Sequence, residues 1–86
     1  MADEPSAEAL AAQLAGFDVS QFVVAAASTL ASLAFAKLDG GELEQARKAI
    51  DVLAVLAPHV EGELKPDLER ALASLQVAYA TAAASG

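Results

Sequence analysis

The sequence predicts an all-α protein, a small bundle of three main helices with a weak N-terminal helix, completed by dimerisation. The 86 residues are enough for one small domain. The chain is 56% hydrophobic and 20% charged, so it is too apolar to be disordered. Only 5% of residues are aromatic, so Ala, Leu and Val must form the core, which favours helices. We predict a flexible leader at 1–6, a helical domain at 7–82 and a frayed tail at 83–86.

The first helix is predicted over about residues 7–15. Ser6 is a suitable N-cap, because its hydroxyl can accept hydrogen bonds from backbone N–H groups of the first turn. Leu10 and Leu14 are its only large apolar side chains, so we expect this helix to be weak. Gly16 is expected to end it in the left-handed conformation.

The second helix has the clearest start signal in the chain. Asp18 is the expected N-cap, and Gln21 follows at the capping-box position. Phe17 and Phe22 are placed as a hydrophobic staple across this cap. Lys37 near the C-terminal end of the helix, and the glycines Gly40 and Gly41 after it, indicate where the helix ends.

The third and fourth helices each carry one apolar stripe with alternating spacings of three and four. The stripe of the third helix, which starts near Glu42, is Leu43, Ala46, Ile50, Leu53 and Ala57. Glu44 is predicted to pair with Lys48, and Pro58 to end or kink the helix because it lacks an N–H group. We expect Pro66 at the first position of the fourth helix. The stripe of that helix is Leu68, Leu72, Leu75, Tyr79 and Ala82.

The second helix lacks a polar face. Residues 19–36 are eighteen consecutive positions without a charge, and such a helix is buried in protein or in lipid. Ala, Ser and Thr dominate, and the flanks have neither a basic cluster nor Trp or Tyr anchors, which disfavours a membrane span. Three short partner helices are too few to cover this helix on every side.

We therefore predict a homodimer that pairs through small residues of the second helix. The self-association face is predicted to consist of Ala27, Ser28, Ala31, Ser32 and Ala36. The larger side chains expected to pack on the third and fourth helices are Phe22, Val23, Leu30 and Leu33. The alternative is a monomer in which Ala and Ser mark a tolerant exposed side. Parallel and antiparallel pairing are both open.

The segment from Ala46 to about Leu75 carries a family resemblance. It reads Ala-Arg-Lys-Ala-Ile-Asp-Val-Leu at 46–53 and Gly-Glu-Leu-Lys-Pro-Asp at 62–67, with leucines at 56, 72 and 75. In these residues the chain resembles a family of small, acidic bacterial proteins known as a domain of unknown function, number eighteen-forty-four in that series. The helix that begins at Phe22 is similar to the family's first helix. The resemblance implies a helical fold, no established activity and no functional residue.

Several chemistries are disfavoured by residue types. The chain has no cysteine, which excludes disulfides, thiolate metal sites and thiol catalysis. A net charge of −7 with five cations disfavours nucleic acid and anionic lipid as partners. His59, Glu61 and Glu63 could share a metal ion only in an extended segment, and we prefer a solvated connection there. We expect no metal, no cofactor and no enzymatic activity.

The predicted function is that of a protein–protein interaction or structural module that acts through helix–helix association. The expected partner is a second copy of the chain, or else another protein. The alternatives are a carrier of an apolar small ligand between alanine-lined helices and a peripheral membrane-associated protein. Two acids and no basic residue precede the first apolar stretch, which is unlike a secretory signal and predicts a cytoplasmic location.

Overall fold

The computed structural model describes residues 6–85, and within that range the chain forms four α-helices, one 3₁₀ helix and no strand. The helices are α1 (Ala7–Ala15), α2 (Val19–Asp39), α3 (Leu43–Leu56) and α4 (Lys65–Ser85), with the 3₁₀ helix at Ala57–His59. The predicted all-α bundle is confirmed. Residues 1–5 of the predicted leader, and Gly86, lie outside the described residues.

The core of the bundle lies between α2, α3 and α4. α2 packs most extensively on α3, and both helices pack on α4. The buried apolar side chains are Ala27, Ala31, Ala34, Ala46, Ala49, Ile50, Leu53, Ala57, Val60, Leu68 and Leu75. In the predicted stripes of α3 and α4, every residue that is not buried is half-buried. Both stripes therefore face the core, as expected.

Side-chain caps begin α1 and α2. Ser6 Oγ accepts a hydrogen bond from the backbone N–H of Ala9 at 3.1 Å. Asp18 Oδ1 accepts one from the N–H of Ser20 at 2.9 Å, at the second position of α2. Both predicted N-caps are confirmed, although the bond of Asp18 is to Ser20 rather than to Gln21, as a full capping box requires.

The prediction of a left-handed glycine after α1 is wrong. Gly16 has a φ of −84° in the right-handed region, where its N–H donates to the last carbonyls of α1. The positive φ angles belong to Gly41 (76°) and Gly62 (93°), in the connections that follow α2 and precede α4. These two turns require the conformational freedom of glycine, because other residues are strained there.

Pro58 ends α3, which is one of the two outcomes predicted for it. The chain leaves α3 at Leu56 and tightens into the 3₁₀ turn that contains Pro58. Val60 follows in an extended conformation and is only 1% exposed, so the connection contributes to the core. α4 begins at Lys65, one residue before the predicted first position. Pro66 is tolerated there because the first four N–H groups of a helix have no partner within it.

Four of the five Lys and Arg side chains form ion pairs with an acid nearby in the sequence. The pairs are Lys37 with Glu42 (3.2 Å), Arg47 with Asp51 (3.8 Å), Lys65 with Glu69 (3.8 Å) and Arg70 with Asp67 (3.1 Å). The predicted pair of Glu44 with Lys48 is not among them. Exposed pairs at this spacing contribute about 0.5 kcal/mol at most, so this difference has little effect on the fold.

α1 stands apart from the bundle. No Cα atom of α1 lies within 8 Å of one in α2, α3 or α4, and none of its residues is buried. The radius of gyration is 16.3 Å, whereas a compact chain of this length has about 12 Å. The molecule measures 51 × 34 × 15 Å. It is therefore a flat three-helix bundle with a projecting N-terminal helix.

α4 is longer than predicted. It continues through the residues 83–85 that the sequence assigned to a frayed tail. Alanine has the highest helix propensity, and the Ser85 hydroxyl donates to the Thr81 carbonyl oxygen at 3.0 Å. The helix continues here although residues 83–85 are exposed.

We expect Leu53→Ala to destabilise the protein by about 2–5 kcal/mol, because it leaves a cavity at a side chain that is 0% exposed. The matched control is Val55→Ala on the same helix, where the side chain is 66% exposed and the expected change is within about 0.5 kcal/mol. Urea unfolding followed by circular dichroism measures both. Equal effects of the two substitutions would contradict this description of the core.

Candidate interaction surface

The five residues of the predicted self-association face lie on two sides of α2. Ala27 (0% exposed) and Ala31 (8% exposed) are part of the core, so their assignment to a subunit interface is wrong. Ser28, Ser32 and Ala36 are exposed on the other side of the helix. The structure therefore leaves three of the five residues accessible to a partner.

The larger side chains of α2 are also divided between the buried and the exposed side of the helix. Val23 and Leu30 are half-buried against the core, as expected. Phe22 and Leu33 were also expected there, but they are 64% and 45% exposed. The helix is thus rotated about its axis relative to the predicted orientation, and some of its bulkiest residues face outward.

The buried sides of α2 and α3 both carry small side chains. α2 turns Ala27, Ala31 and Ala34 toward the other helices, and α3 presents Ala46 and Ala49 on its buried side. Small side chains at a helix contact allow the two backbones to approach closely. A phenylalanine at the same contact would hold the two helices apart.

The accessible side of α2 forms a continuous line that we call the outward face. It consists of Phe22, Ala25, Thr29, Ser32, Leu33 and Ala36, all exposed. Their spacing of three and four residues places them on one side of the helix. No charged residue occurs between positions 19 and 36. The sequence analysis missed Ala25 and Thr29, although the spacing that links them to Phe22 and Ala36 was visible.

Exposed apolar side chains are concentrated in the N-terminal half of the chain. Seven of the eleven exposed large apolar residues in the described part precede α3: Leu10, Leu14, Phe17, Val19, Phe22, Leu33 and Phe35. Leu14, Phe17, Val19 and Phe22 line an open pocket of about 260 Å³ where α1 meets α2, which we call the elbow pocket. The two phenylalanines of the predicted staple thus share this pocket, but both remain more than 60% exposed.

α2 has the length and composition of a helix that could cross a membrane, the only one in the part of the chain described here. Its mean hydropathy reaches 1.7, and only 17% of its most apolar 18-residue window is buried. The core helix of a soluble protein and a signal sequence meet the same criterion, so this alone assigns no location. It does show that α2 is not enclosed by its own chain.

The interior formed by residues 6–85 is lined by apolar side chains. No polar or charged side chain in this part of the chain is buried. His59, at the end of the 3₁₀ helix, is exposed, and so are Glu61 and Glu63. Within this range no three His, Asp or Glu side chains lie close enough to hold a metal ion together.

Comparisons with models of protein families, with curated proteins and with solved structures found no match. The resemblance to the small acidic bacterial family therefore stays a prediction. The candidate surface rests on the geometry of α1 and α2 alone.

We expect the backbone amides of α1 to exchange with solvent at rates close to those of an unfolded peptide. A nine-residue helix without tertiary contacts is marginally stable in water. The amides around Leu53 in α3 provide an internal control and are expected to exchange most slowly. Hydrogen exchange at low micromolar concentration measures both segments in one sample. Equal protection of α1 and α3 would mean that another surface covers α1.

Proposed function

We propose that this protein is a helix–helix interaction module in which the outward face of α2 pairs with the outward face of a second copy. The observation that carries the proposal is a helix of 21 residues that is uncharged from position 19 to 36 and exposes a continuous side to solvent. A surface helix of a monomer typically has a charged or polar side. Between positions 19 and 36, α2 has no charged side, and the polar groups exposed on its outward face are the small hydroxyls of Thr29 and Ser32. This supports coverage of that face by another molecule.

The residues of the outward face favour coverage by protein. Phe22 and Leu33 are well exposed, and fully burying such a side chain contributes about 1.5–3 kcal/mol relative to full exposure. The face carries no charge, so pairing requires no desolvation of an ion. The hydroxyls of Thr29 and Ser32 can donate to carbonyl oxygens one turn earlier in the helix, so their burial leaves no donor without a partner.

The chain exposes more surface than a compact protein of its mass. Its accessible surface is 5986 Å², whereas a compact monomer of 8.7 kDa exposes about 4,700 Å². A standard protein interface covers about 800 Å² on each partner, which is less than this excess. α1 contributes to the excess because it packs on no other helix. A second copy would supply a surface of the same size and chemistry.

The structure favours a second copy over a lipid bilayer. The inner side of α2 is packed on α3 and α4, whose solvent sides carry charges such as Arg47 and Arg70. Spanning a bilayer would require either the insertion of those charges or the loss of the core. Lys37, near the C-terminal end of α2, is paired with Glu42, and the chain carries a net charge of −7, which opposes binding to anionic lipid.

The elbow pocket supports an apolar small ligand as a second candidate. Its four lining side chains are all apolar. At about 260 Å³, however, its volume lies just below the range of about 300–1,000 Å³ that is usual for ligand sites, and it is open to solvent. Native mass spectrometry of protein purified from cells tests this candidate. A reproducible added mass that Phe17→Ser abolishes would support a carrier, and an unmodified mass would oppose one.

We expect light scattering coupled to size-exclusion chromatography to give twice the monomer mass of 8.7 kDa over a hundredfold range of concentration. Ser32→Arg places a charge on the outward face and is expected to weaken the dimer at least tenfold. Ser74→Arg is the matched control on α4, where the serine is exposed outside this face and the mass should not change.

A wild-type mass of 8.7 kDa at every concentration would overturn the proposed pairing. Sedimentation with zwitterionic and with anionic phosphatidylglycerol vesicles would then separate two outcomes. Binding of the monomer that Ser32→Arg abolishes would assign the outward face to lipid. The absence of vesicle binding would leave the outward face without either partner. If the wild type is instead dimeric, unchanged dimerisation of the Ser32→Arg variant would place the interface elsewhere and contradict the proposal.

We expect the dimer to become tighter as the salt concentration rises. Two chains with a net charge of −7 repel each other, and salt screens that repulsion while the apolar contact remains. Sedimentation equilibrium at about 20 mM and 500 mM sodium chloride measures the change in dissociation constant. Weaker association at high salt would indicate an interface held by opposite charges and would contradict an uncharged one.

A further inference from the structure

We infer that the two copies of α2 pair in antiparallel directions, with the two-fold axis near Thr29. The inference rests on the proposed pairing and adds its direction and register. It comes from the order of large and small side chains along the outward face, which reads Phe22, Ala25, Thr29, Ser32 beside Leu33, and Ala36. This order is asymmetric about Thr29 in a way that distinguishes the two directions.

In the antiparallel arrangement each large side chain meets a small one. Phe22 lies seven residues before Thr29, and Ala36 lies seven residues after it. Phe22 therefore faces Ala36 of the second copy, and Leu33 faces Ala25 of the second copy. Thr29 faces itself across the axis. The combined volume of the two facing side chains is therefore similar at each level of the contact. The distance between the helix axes can then stay constant along the contact, as in close-packed interiors.

The parallel arrangement lacks this complementarity. Phe22 would face its own copy, and so would Leu33, which forces the helices apart at two levels. At Ala25 and Ala36 alanine would face alanine, so the same separation would leave gaps. Gaps of this kind forfeit van der Waals contacts on both sides. Parallel pairing also places like ends of the two helix dipoles together, whereas antiparallel pairing places opposite ends together.

A cysteine-free chain allows a direct test of pairing and direction, because introduced thiols are the only ones present. Thr29→Cys places two thiols at the proposed axis, within the Cα separation of about 4.4–6.8 Å that a disulfide requires. Ala36→Cys places them about 21 Å apart in antiparallel pairing, because 14 residues at about 1.5 Å each separate them along the axis. In parallel pairing in register the two thiols would be adjacent.

We expect Thr29→Cys to form disulfide-linked dimers at least tenfold faster than Ala36→Cys under mild oxidation. Ser74→Cys on α4 gives the background of random collision. A spin label on Asp39→Cys, beyond the outward face, provides a second measurement. Double electron–electron resonance should give about 30 Å in the antiparallel dimer, against about 15 Å or less in a parallel one.

The outcomes separate direction from pairing. Rapid cross-linking of Ala36→Cys, with a short distance between labels, would overturn the antiparallel inference and leave the proposed dimer intact. A dimeric protein in which Thr29→Cys does not exceed the Ser74→Cys background would overturn the register. A wild-type monomer without cross-links at either position would overturn the proposed function itself.

Discussion

The contact of α2 with α3 and α4 through alanine side chains determines the character of the whole surface. Ala27, Ala31 and Ala34 occupy the buried side of α2, in the core cluster. Once these small residues face inward, helical geometry leaves Phe22 and Leu33 no position except outside. The apolar exposure of this protein is therefore a direct consequence of how its core is packed.

The elements of the fold were predictable because their signals are local. The N-caps Ser6 and Asp18, the helix end imposed by Pro58 and the stripes of α3 and α4 all follow from short-range patterns. Helix starts and stops depend on a few backbone groups, which the neighbouring side chains satisfy or fail to satisfy. The extension of α4 to Ser85 was missed because a run of alanine gives neither a stop signal nor an apolar stripe.

The orientation of α2 could not be predicted in this way. Nearly all of its positions are apolar or small, so periodicity does not distinguish an inner from an outer side. The decision depends on the shape of the helices it packs on, which is not a local property of its sequence. The isolation of α1 is a similar case. Its cap and length were visible in the sequence, whereas its lack of partners depends on the whole chain.

α2 and α4 differ in how many of their sides tolerate mutation. On the inner side of α2, a side chain larger than alanine would separate the helices of the core. On the outer side, under the proposed pairing, size and charge are restricted by the second copy. α4 keeps a solvent side with Asp67, Glu69 and Arg70, where substitutions change little. Amino-acid substitutions should therefore accumulate slowly at every position around α2. In α4 they should accumulate mainly on the half of the helix that faces solvent.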